Sequence, residues 1–265
     1  MNAEDTVHPA FGVLIVSALT AIPAAAGQAE CSARSPEHAS ALIELYTSEG
    51  CDSCPPADRW FSALSPQELG GRAVAIALHV DYWDRLGWKD RFGAARFTGR
   101  QYDEAARGGG AFVYTPQVIV EGRDFPQWRT GDALERAIAA ANARPARAKI
   151  ELAARPRGSA ADVDLNVEVP AARDRSDARV VVALVQSGLA SEVTAGENAG
   201  KRLKHDHVVR DWRLDIALDP TGKLTRSLHF DLPAEAGPLS IVALAENQRT
   251  GEVLQTLELP LCTAR

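Results

Sequence analysis

Hydrophobic positions in the first half of the chain change their spacing repeatedly, and each change predicts a new element. Three apolar runs are short enough to be strands, at 41–46 (ALIELY), 73–80 (AVAIALHV) and 118–120. Three segments with helical spacing separate or follow them, at 58–69, 89–107 and 131–144. Strands that alternate with helices in this way predict an α/β fold for this half.

Beyond Pro145 the pattern changes to alternating or continuous apolar runs separated by turn residues. The runs predicted to be strands are 149–153, 162–169, 179–186, 208–218, 224–230, 239–246 and 253–259. About seven short strands in roughly a hundred residues predict a β-sandwich. We therefore expect an α/β domain over 27–145 and an all-β, immunoglobulin-like sandwich domain over 146–265.

The first 26 residues have the features of a secretory signal peptide. Phe11 to Ile22 is apolar but short for a membrane span, and Ala24 to Ala26 form an A-x-A-like cleavage site. We predict a signal peptide over 1–26, a periplasmic or secreted mature protein, and no transmembrane segment in the mature chain. An uncleaved anchor or a disordered tail is the alternative, because no Lys or Arg precedes Phe11.

Charge and glycine patterns exclude some function classes. The formal net charge is −6 and no basic patch is present, so we expect no nucleic-acid partner. Gly108 to Gly110 follows a helical segment and lacks the dinucleotide-binding fingerprint. We therefore expect no organic cofactor.

Cys51 and Cys54 form a Cys-x-x-Cys pair where the first strand gives way to a helix. A thiol at a helix N-terminus is favoured as thiolate by the helix dipole and by free N–H groups. Cys51 is therefore predicted to attack and Cys54 to resolve a mixed disulfide. A structural disulfide and half of a zinc site are the alternatives. A zinc site is disfavoured because it needs a second pair of ligands, and the remaining cysteines, Cys31 and Cys262, are isolated near the two ends of the sequence.

Thr115-Pro116 directly precedes the third predicted strand. A proline at the first residue of a strand gives up no essential hydrogen bond, so an ordinary trans proline would explain this pair taken alone. Together with Cys-x-x-Cys at the first strand–helix junction, it resembles the thioredoxin fold, in which a cis-proline faces the dithiol. The resemblance implies that Thr115 and Pro116 position the substrate.

Four stretches resemble the bacterial family called domain of unknown function 1223: LYTSEGCDSCPPAD, HVDYWDRLGWKDRF, YTPQVIVEG and VTAGENAGKRLKHDHVVRDW. The resemblance covers almost the whole mature chain and implies an exported, thioredoxin-like protein without a settled activity. The chain departs from thioredoxin at Gly50, where thioredoxins carry tryptophan, and at Pro55, which directly follows the second cysteine. It also departs at Asp52, whose carboxylate disfavours the thiolate.

His79, Asp81, Tyr82 and Trp83 cluster at the end of the second strand, where ligand sites of open α/β sheets lie. Asp81 is predicted to be a general base for the cysteines. His79 is an alternative base, a third ligand with Cys51 and Cys54 in a copper or zinc site, or a core histidine. Tyr82 and Trp83 are predicted to bind substrate, or to pack under their own loop.

His205 and His207 alternate within Lys204–His207, so they would share one face of an extended segment. Two histidines at this spacing can contribute to a metal site with Glu197 or Asp206. A polar hairpin is the alternative, because further ligands are not evident.

The two remaining cysteines are predicted to form a structural disulfide. Cys31 follows the predicted cleavage site and Cys262 lies near the end of the chain. In the chain-entropy model, a bridge that closes so long a loop stabilises by roughly 3 to 5 kcal/mol. Two free thiols are the alternative, which an oxidising compartment disfavours.

These features together predict an exported thiol–disulfide oxidoreductase that acts on protein or small-molecule thiols and disulfides. The alternative is a non-enzymatic protein that binds a partner or copper on a thioredoxin-like scaffold. In that alternative the Cys51–Cys54 disulfide is permanent and resists reduction.

Overall fold

A computed structural model of the protein describes Met1 and residues 30–110 and 112–262, with the side chains of all of them except 66 and 214–216. Strands predominate and the helices are few. Apart from Met1, the signal peptide predicted over 1–26 lies outside the described residues. Among the described helices, none has the length and apolar character needed to cross a bilayer.

Strands account for most of the regular structure in the described ranges. In chain order they are β1 (Cys31–Arg34), β2 (Ala41–Thr47), β3 (Ala73–His79), β4 (Gln117–Val120), β5 (Arg123–Asp124), β6 (Lys149–Arg157), β7 (Ala160–Glu168), β8 (Ala178–Gln186), β9 (Leu189–Glu192), β10 (Arg202–His205), β11 (Val208–Ala217), β12 (Lys223–Asp231), β13 (Leu239–Asn247) and β14 (Val253–Pro260).

The helices fall mainly in the first half. They are α1 (Pro55–Ser62), α2 (Pro66–Leu69), α3 (Ala95–Arg107), α4 (Ala133–Asn142) and α5 (Ala172–Arg175), with 3₁₀ turns at Asp84–Leu86 and Pro126–Arg129.

Strands from both halves of the sequence share the largest sheet. Its eight strands have the order β14-β13-β8-β11-β3-β2-β4-β5, and β2 and β11 each run parallel to β3. The join between the halves is short, since β11 and β3 pair through Val208 and Ala77. Pro145, the predicted boundary, lies between α4 and β6, and the division into two domains stays a prediction.

A second, four-stranded sheet has the order β1-β6-β7-β12 and packs against the β14-β13-β8 part of the large sheet. Alternate residues of β6 and β7 are buried, as expected for strands with one face on a core. Ile150 and Leu165 from this sheet share a hydrophobic cluster with Val182 and Ile241 from the other. The β-rich second half is therefore confirmed.

β2 and β3 are buried along their full length because both of their faces are covered. On one face Ile43 packs in a cluster with Phe61 of α1. On the other, Leu78 packs in a cluster with Phe97 of α3. Burial on both sides explains why these strands are continuous apolar runs, and it confirms their predicted positions.

Two predicted helices have different bounds in the structure. The segment 58–69 is divided into α1 and α2, because Ser65 exchanges hydrogen bonds with Glu68 as a capping box that starts a new helix. The segment 89–107 becomes helical only at Ala95. Before it, the Asp90 carboxylate accepts hydrogen bonds from the backbone of Glu49 and Phe92, which holds an irregular loop.

Candidate functional site

Cys51 and Cys54 form a disulfide between the end of β2 and the start of α1. The Cys54 carbonyl accepts hydrogen bonds from the N–H groups of Ala57 (2.8 Å) and Asp58 (3.1 Å), which begins α1 at this residue. Both cysteines are 0% exposed. The pair therefore lies at the predicted strand–helix junction, but beneath the surface.

The loop that precedes β4 contacts the disulfide. The Cys51 sulfur lies 3.8 Å from the Thr115 carbonyl oxygen. The Ser53 hydroxyl donates to the same oxygen at 3.4 Å and lies 3.3 Å from the Cys51 sulfur. The Thr115–Pro116 peptide is cis. The fold thus places the Thr115 carbonyl beside the cysteines, and the substrate-positioning role of Thr115 and Pro116 stays a prediction.

The aromatic loop after β3 packs on the same region. The Trp83 indole N–H donates to the Thr115 hydroxyl at 2.7 Å, and the Tyr82 hydroxyl donates to Gln101 at 3.3 Å. A Cβ on Gly50 would lie 3.1 Å from the Trp83 Cβ, so this loop leaves little room for a larger residue before Cys51. The substrate-binding role of Tyr82 and Trp83 stays a prediction.

Asp81 is engaged with helix α3. Its carboxylate accepts a hydrogen bond from the Thr98 hydroxyl at 2.6 Å, and its N–H donates to the same hydroxyl at 3.2 Å. The described contacts of Asp81 do not include a cysteine. Its role as general base stays a prediction.

Five ionisable side chains form a buried acid–histidine cluster close to the disulfide, each no more than 6% exposed: Glu49, Asp58, His79, Asp90 and His205. His79 Nδ1 lies 2.7 Å from Asp90 Oδ2, and His205 Nε2 lies 3.3 Å from Glu49 Oε1. The two imidazoles pack edge to face with centroids 5.0 Å apart. Two acid–histidine pairs are therefore in contact in the interior.

Burial and pairing set the charges of the acid–histidine cluster. Burial raises the pKa of Asp58 despite the hydrogen bond that its carboxylate accepts from Thr47 at 2.7 Å. Burial alone would lower the pKa of His79, but the Asp90 carboxylate outweighs it and the pKa is raised. The same pairing lowers the pKa of Asp90, although burial opposes it. The pairing thus favours a protonated His79 beside an ionised Asp90, while Asp58 holds its proton more tightly than usual.

Polar atoms of the cluster have spare hydrogen-bonding capacity. Within the described part of the chain, Asp58 Oδ2 and His79 Nε2 are buried without a hydrogen-bond partner, and Glu49 Oε1 faces His205 Nε2 without a well-aligned bond. Unsatisfied buried polar groups are costly, so they are usually kept for a reason. Asp58 follows Cys54 by one helical turn, and its N–H donates to the Cys54 carbonyl, so this member of the cluster is close to the disulfide.

Residues 193–201 from the second half of the chain lie over the cysteine motif; we call them the cover segment. The Asn198 side-chain N–H₂ donates to the carbonyls of Glu49 (2.8 Å) and Cys51 (2.9 Å). The Glu197 carboxylate accepts from the Asp52 N–H at 3.2 Å. The covering of the disulfide is therefore a long-range contact.

Sequence reasoning missed Asn198, Glu49 and His205 as parts of this site. Asn198 and His205 do lie in a stretch that carries the family resemblance, but no local pattern places that stretch over Cys51. Asp58 offered a visible signal, since one helical turn separates it from Cys54. His79 is buried, as expected for a core histidine, which is one of the three roles predicted for it.

The described residues contain no group of three or more His, Cys, Asp or Glu side chains placed to hold a metal ion. His79 directs Nδ1 at Asp90. His207 has a left-handed φ of 58° and packs edge to face on Phe61, whereas His205 packs on Phe92. The two histidines therefore have different neighbours, and they do not lie on one face of an extended segment as predicted.

Cys31 and Cys262 are adjacent free thiols in the structure. The Cys262 N–H donates to the Cys31 sulfur at 3.1 Å, and the Cys31 thiol donates to the Ala154 carbonyl at 3.5 Å. Burial, together with the neighbouring Cys262 thiol, raises the pKa of Cys31 to about 11. The fold brings Cys31 and Cys262 together, and the disulfide between them stays a prediction.

The solved structures that are similar to this chain include the following two. One is protein AGR_C_4864 of Agrobacterium tumefaciens, with 24% identity, a TM-score of 0.56, and coverage of 84% of this chain and 95% of that one. The other is HBP35 of Porphyromonas gingivalis, with 12% identity, a TM-score of 0.60, and coverage of 84% and 75%. At these identities the likeness concerns the fold alone.

Among the curated proteins, none matches the chain. A family model described as "Protein of unknown function (DUF1223)" matches residues 42–244. This range begins within β2 and ends within β13, so it includes the cysteine motif, the Thr115–Pro116 loop and the cover segment. The chain therefore belongs to the DUF1223 family of proteins of unknown function.

Proposed function

We propose that this protein is an exported thiol–disulfide oxidoreductase that uses Cys51 and Cys54. The observation that carries the proposal is the contact between the Cys51 sulfur and the Thr115 carbonyl, at 3.8 Å. A backbone carbonyl and N–H groups beside a dithiol form an edge along which an extended substrate can bind. Protein or small-molecule thiols and disulfides are the proposed partners.

A thioredoxin-like scaffold is part of this proposal. The parallel pair β2 and β3, joined through α1, and the antiparallel β4 that follows the Thr115–Pro116 loop support it. The immunoglobulin-like character of the second half is proposed from its two packed sheets. Export is supported by the apolar segment and alanine-rich site within residues 1–26, and by the disulfide itself.

The proposed reaction transfers two electrons. The Cys51 thiolate attacks a substrate disulfide, forms a mixed disulfide and releases the first substrate thiolate. The Cys54 thiolate then attacks the Cys51 sulfur, which reforms the Cys51–Cys54 disulfide and releases the second substrate thiolate. The dithiol is oxidised, the substrate disulfide is reduced, and the two protons that leave the cysteines end on the two substrate thiols. The reverse sequence oxidises a substrate dithiol.

Because both cysteines are fully buried, we propose that exchange requires the cover segment to move. The Asn198 amide donates to the cysteine motif and the Glu197 carboxylate accepts from it, and these bonds hold the cover segment in place. A local opening that breaks a few hydrogen bonds needs less free energy than unfolding of the whole protein. We therefore propose that the disulfide reacts from a locally open state.

The acid–histidine cluster is proposed to store the protons of this reaction. Each cysteine must lose its proton before it can attack, and a buried thiol needs an acceptor within the protein. Asp58 lies one turn after Cys54 and has an oxygen without a hydrogen-bond partner. Its raised pKa brings it closer to the range in which a carboxylate is an effective base.

A permanent structural disulfide is the second candidate, and the full burial of Cys51 and Cys54 favours it. The two candidates differ in reduction potential. Structural disulfides have potentials below about −300 mV, whereas exchanging pairs lie between about −270 and −120 mV.

The test equilibrates the full chain in glutathione and dithiothreitol redox buffers and measures the fraction of reduced Cys51–Cys54 by alkylation and mass spectrometry. We expect a potential in the exchanging range. We also expect the Cys54→Ser variant to accumulate a mixed disulfide at Cys51, which Cys51→Ser cannot form there. A potential below −300 mV, or no mixed disulfide, would favour the structural role.

A further inference from the structure

A cavity of about 350 Å³ lies between α3 and the strands β8, β11 and β13 of the large sheet. Its lining contains four arginines and one tryptophan: Arg96, Arg100, Arg107, Arg179 and Trp212. Volumes of this size are typical of sites for small molecules. The cavity shares no lining residue with the cysteine site, so its role is independent of the proposed redox function.

Helix α3 leaves the cavity open at Gly99. A Cβ at this position would meet no atom within 4 Å, so the glycine is required neither by a close contact nor by its backbone conformation. Glycine is less favourable than alanine inside a helix. Arg96, Arg100 and Arg107 lie on the same stripe of the helix, around the space that the missing side chain provides.

Two of the arginines already donate hydrogen bonds to acid side chains. The Arg100 guanidinium donates to Glu44 at 2.7 Å and to both oxygens of Glu246 at 3.0 and 2.8 Å. Arg107 donates to Glu104 at 2.7 Å. Glu246 therefore lines the cavity without presenting a free negative charge to it.

The other two arginines have no such partner. Among the described residues, neither Arg96 nor Arg179 forms an ion pair. The Arg96 guanidinium lies 5.1 Å from the centroid of the Phe97 ring, and Arg179 donates to the Ala178 carbonyl at 2.8 Å. Asp103, which is exposed, is the one acid of the lining that lacks a described cation. The cavity therefore has an excess of positive charge.

We propose that this cavity binds a small organic anion whose carboxylate or phosphate group is held by Arg96 and Arg179. Guanidinium groups match the planar geometry of carboxylates and the oxygens of phosphates, and they donate paired hydrogen bonds to both. Trp212 is buried and gives the cavity an apolar wall for the body of the ligand.

The test is isothermal titration calorimetry of the full chain with citrate and with inorganic phosphate. We expect one of these probes to bind at one site with a dissociation constant below about 1 mM. The double variant Arg96→Gln/Arg179→Gln should weaken that binding at least tenfold. Gly99→Leu should abolish it by filling the cavity without any change of charge.

Arg226→Gln is the matched control, because Arg226 also donates to the carbonyl of its preceding residue and lies on the other sheet. It should bind the probe like the wild type. Citrate binding alone identifies the ligand as a carboxylate, and phosphate binding alone identifies it as a phosphate. The proposal is overturned if neither probe binds with a dissociation constant below about 1 mM, or if Gly99→Leu binds the probe as tightly as the wild type does. Reduction of the disulfide should be equal in all variants, which separates this test from the redox proposal.

Discussion

Asn198→Ala should speed the reduction of the Cys51–Cys54 disulfide. The wild-type amide donates two hydrogen bonds, to the carbonyls of Glu49 and Cys51, from a side chain that is 0% exposed. These bonds fasten the cover segment to the cysteine motif. Alanine removes both donors and leaves the segment with fewer contacts that must break before a reductant can enter.

The magnitude follows from the two lost bonds. Each contributes about 0.5 to 1.5 kcal/mol, so the free energy of local opening should fall by about 1 to 3 kcal/mol. Since 1.4 kcal/mol corresponds to a tenfold change in an equilibrium constant, the open population should rise by about 5- to 150-fold. The rate of reduction should rise by the same factor if reduction proceeds from the locally open state.

The assay is reduction by excess dithiothreitol in native buffer, with timed alkylation and mass spectrometry of the Cys51–Cys54 peptide. Asn142→Ala is the matched control. The Asn142 amide also donates to two backbone carbonyls, those of Ala39 and Arg72, both at 2.8 Å, but it lies at the end of α4. Urea unfolding of both variants measures their loss of global stability.

Two results would refute the reasoning. If a folded Asn198→Ala protein is reduced at the wild-type rate, the cover segment does not control access to the sulfurs. If Asn142→Ala accelerates reduction as much as Asn198→Ala, the disulfide reacts through global unfolding. In that case the local opening proposed for the mechanism is wrong.

Two further predictions concern protons. Asp58→Asn should slow the resolution of a Cys51 mixed disulfide by about a hundredfold near neutral pH and shift the pH profile of this rate upward, because a nearby proton acceptor is lost. Stopped-flow release of thionitrobenzoate from the mixed disulfide measures the rate. An unchanged pH profile in Asp58→Asn together with an altered one in Asp81→Asn would assign the base to Asp81. Glu104→Gln should flatten the dependence of stability on pH. Burial and the neighbouring carboxylates of Glu44 and Glu246, opposed by Arg100, raise the pKa of Glu104 to about 8, so the folded state binds one more proton than the unfolded state between about pH 4.5 and 8. Stability contributed by this group is present at low pH and is lost as pH rises through 8, by at most about 1.4 kcal/mol per unit. Urea midpoints from pH 6 to 9 should fall less in Glu104→Gln than in the wild type, with Glu192→Gln as an exposed control; parallel curves would contradict the assignment.

Strand positions were predictable where a strand is buried on both faces, because such a strand is a continuous run of apolar residues. Helix α1 packs on one side of β2 and β3, and helix α3 packs on the other, so nearly every position of these strands is apolar. Helix bounds were less predictable. The start of α3 depends on Asp90, whose carboxylate accepts a hydrogen bond from the distant Glu49 N–H. The spacing of apolar residues in the sequence does not indicate this contact.

The disulfide site was predictable as far as single motifs reach. Cys51, Cys54 and Thr115 could be named because each lies at the end of a recognisable strand or at its start. The acid–histidine cluster could not be named. His79 and His205 were candidates from the sequence, but their partners, Asp90 and Glu49, depend on how distant segments pack.

By itself the sequence determined the local elements, the cysteine pair at a strand–helix junction, and the family. Tertiary structure alone decided that the cysteines are buried, that Asn198 fastens a distant segment over them, and that Asp58 keeps its proton more tightly than an exposed carboxyl group. The physical reason is that hydrophobic periodicity reports which face of an element leaves water. Desolvation and hydrogen-bond partners depend on which other elements arrive at that face, and those come from segments as far apart as Cys51 and Asn198.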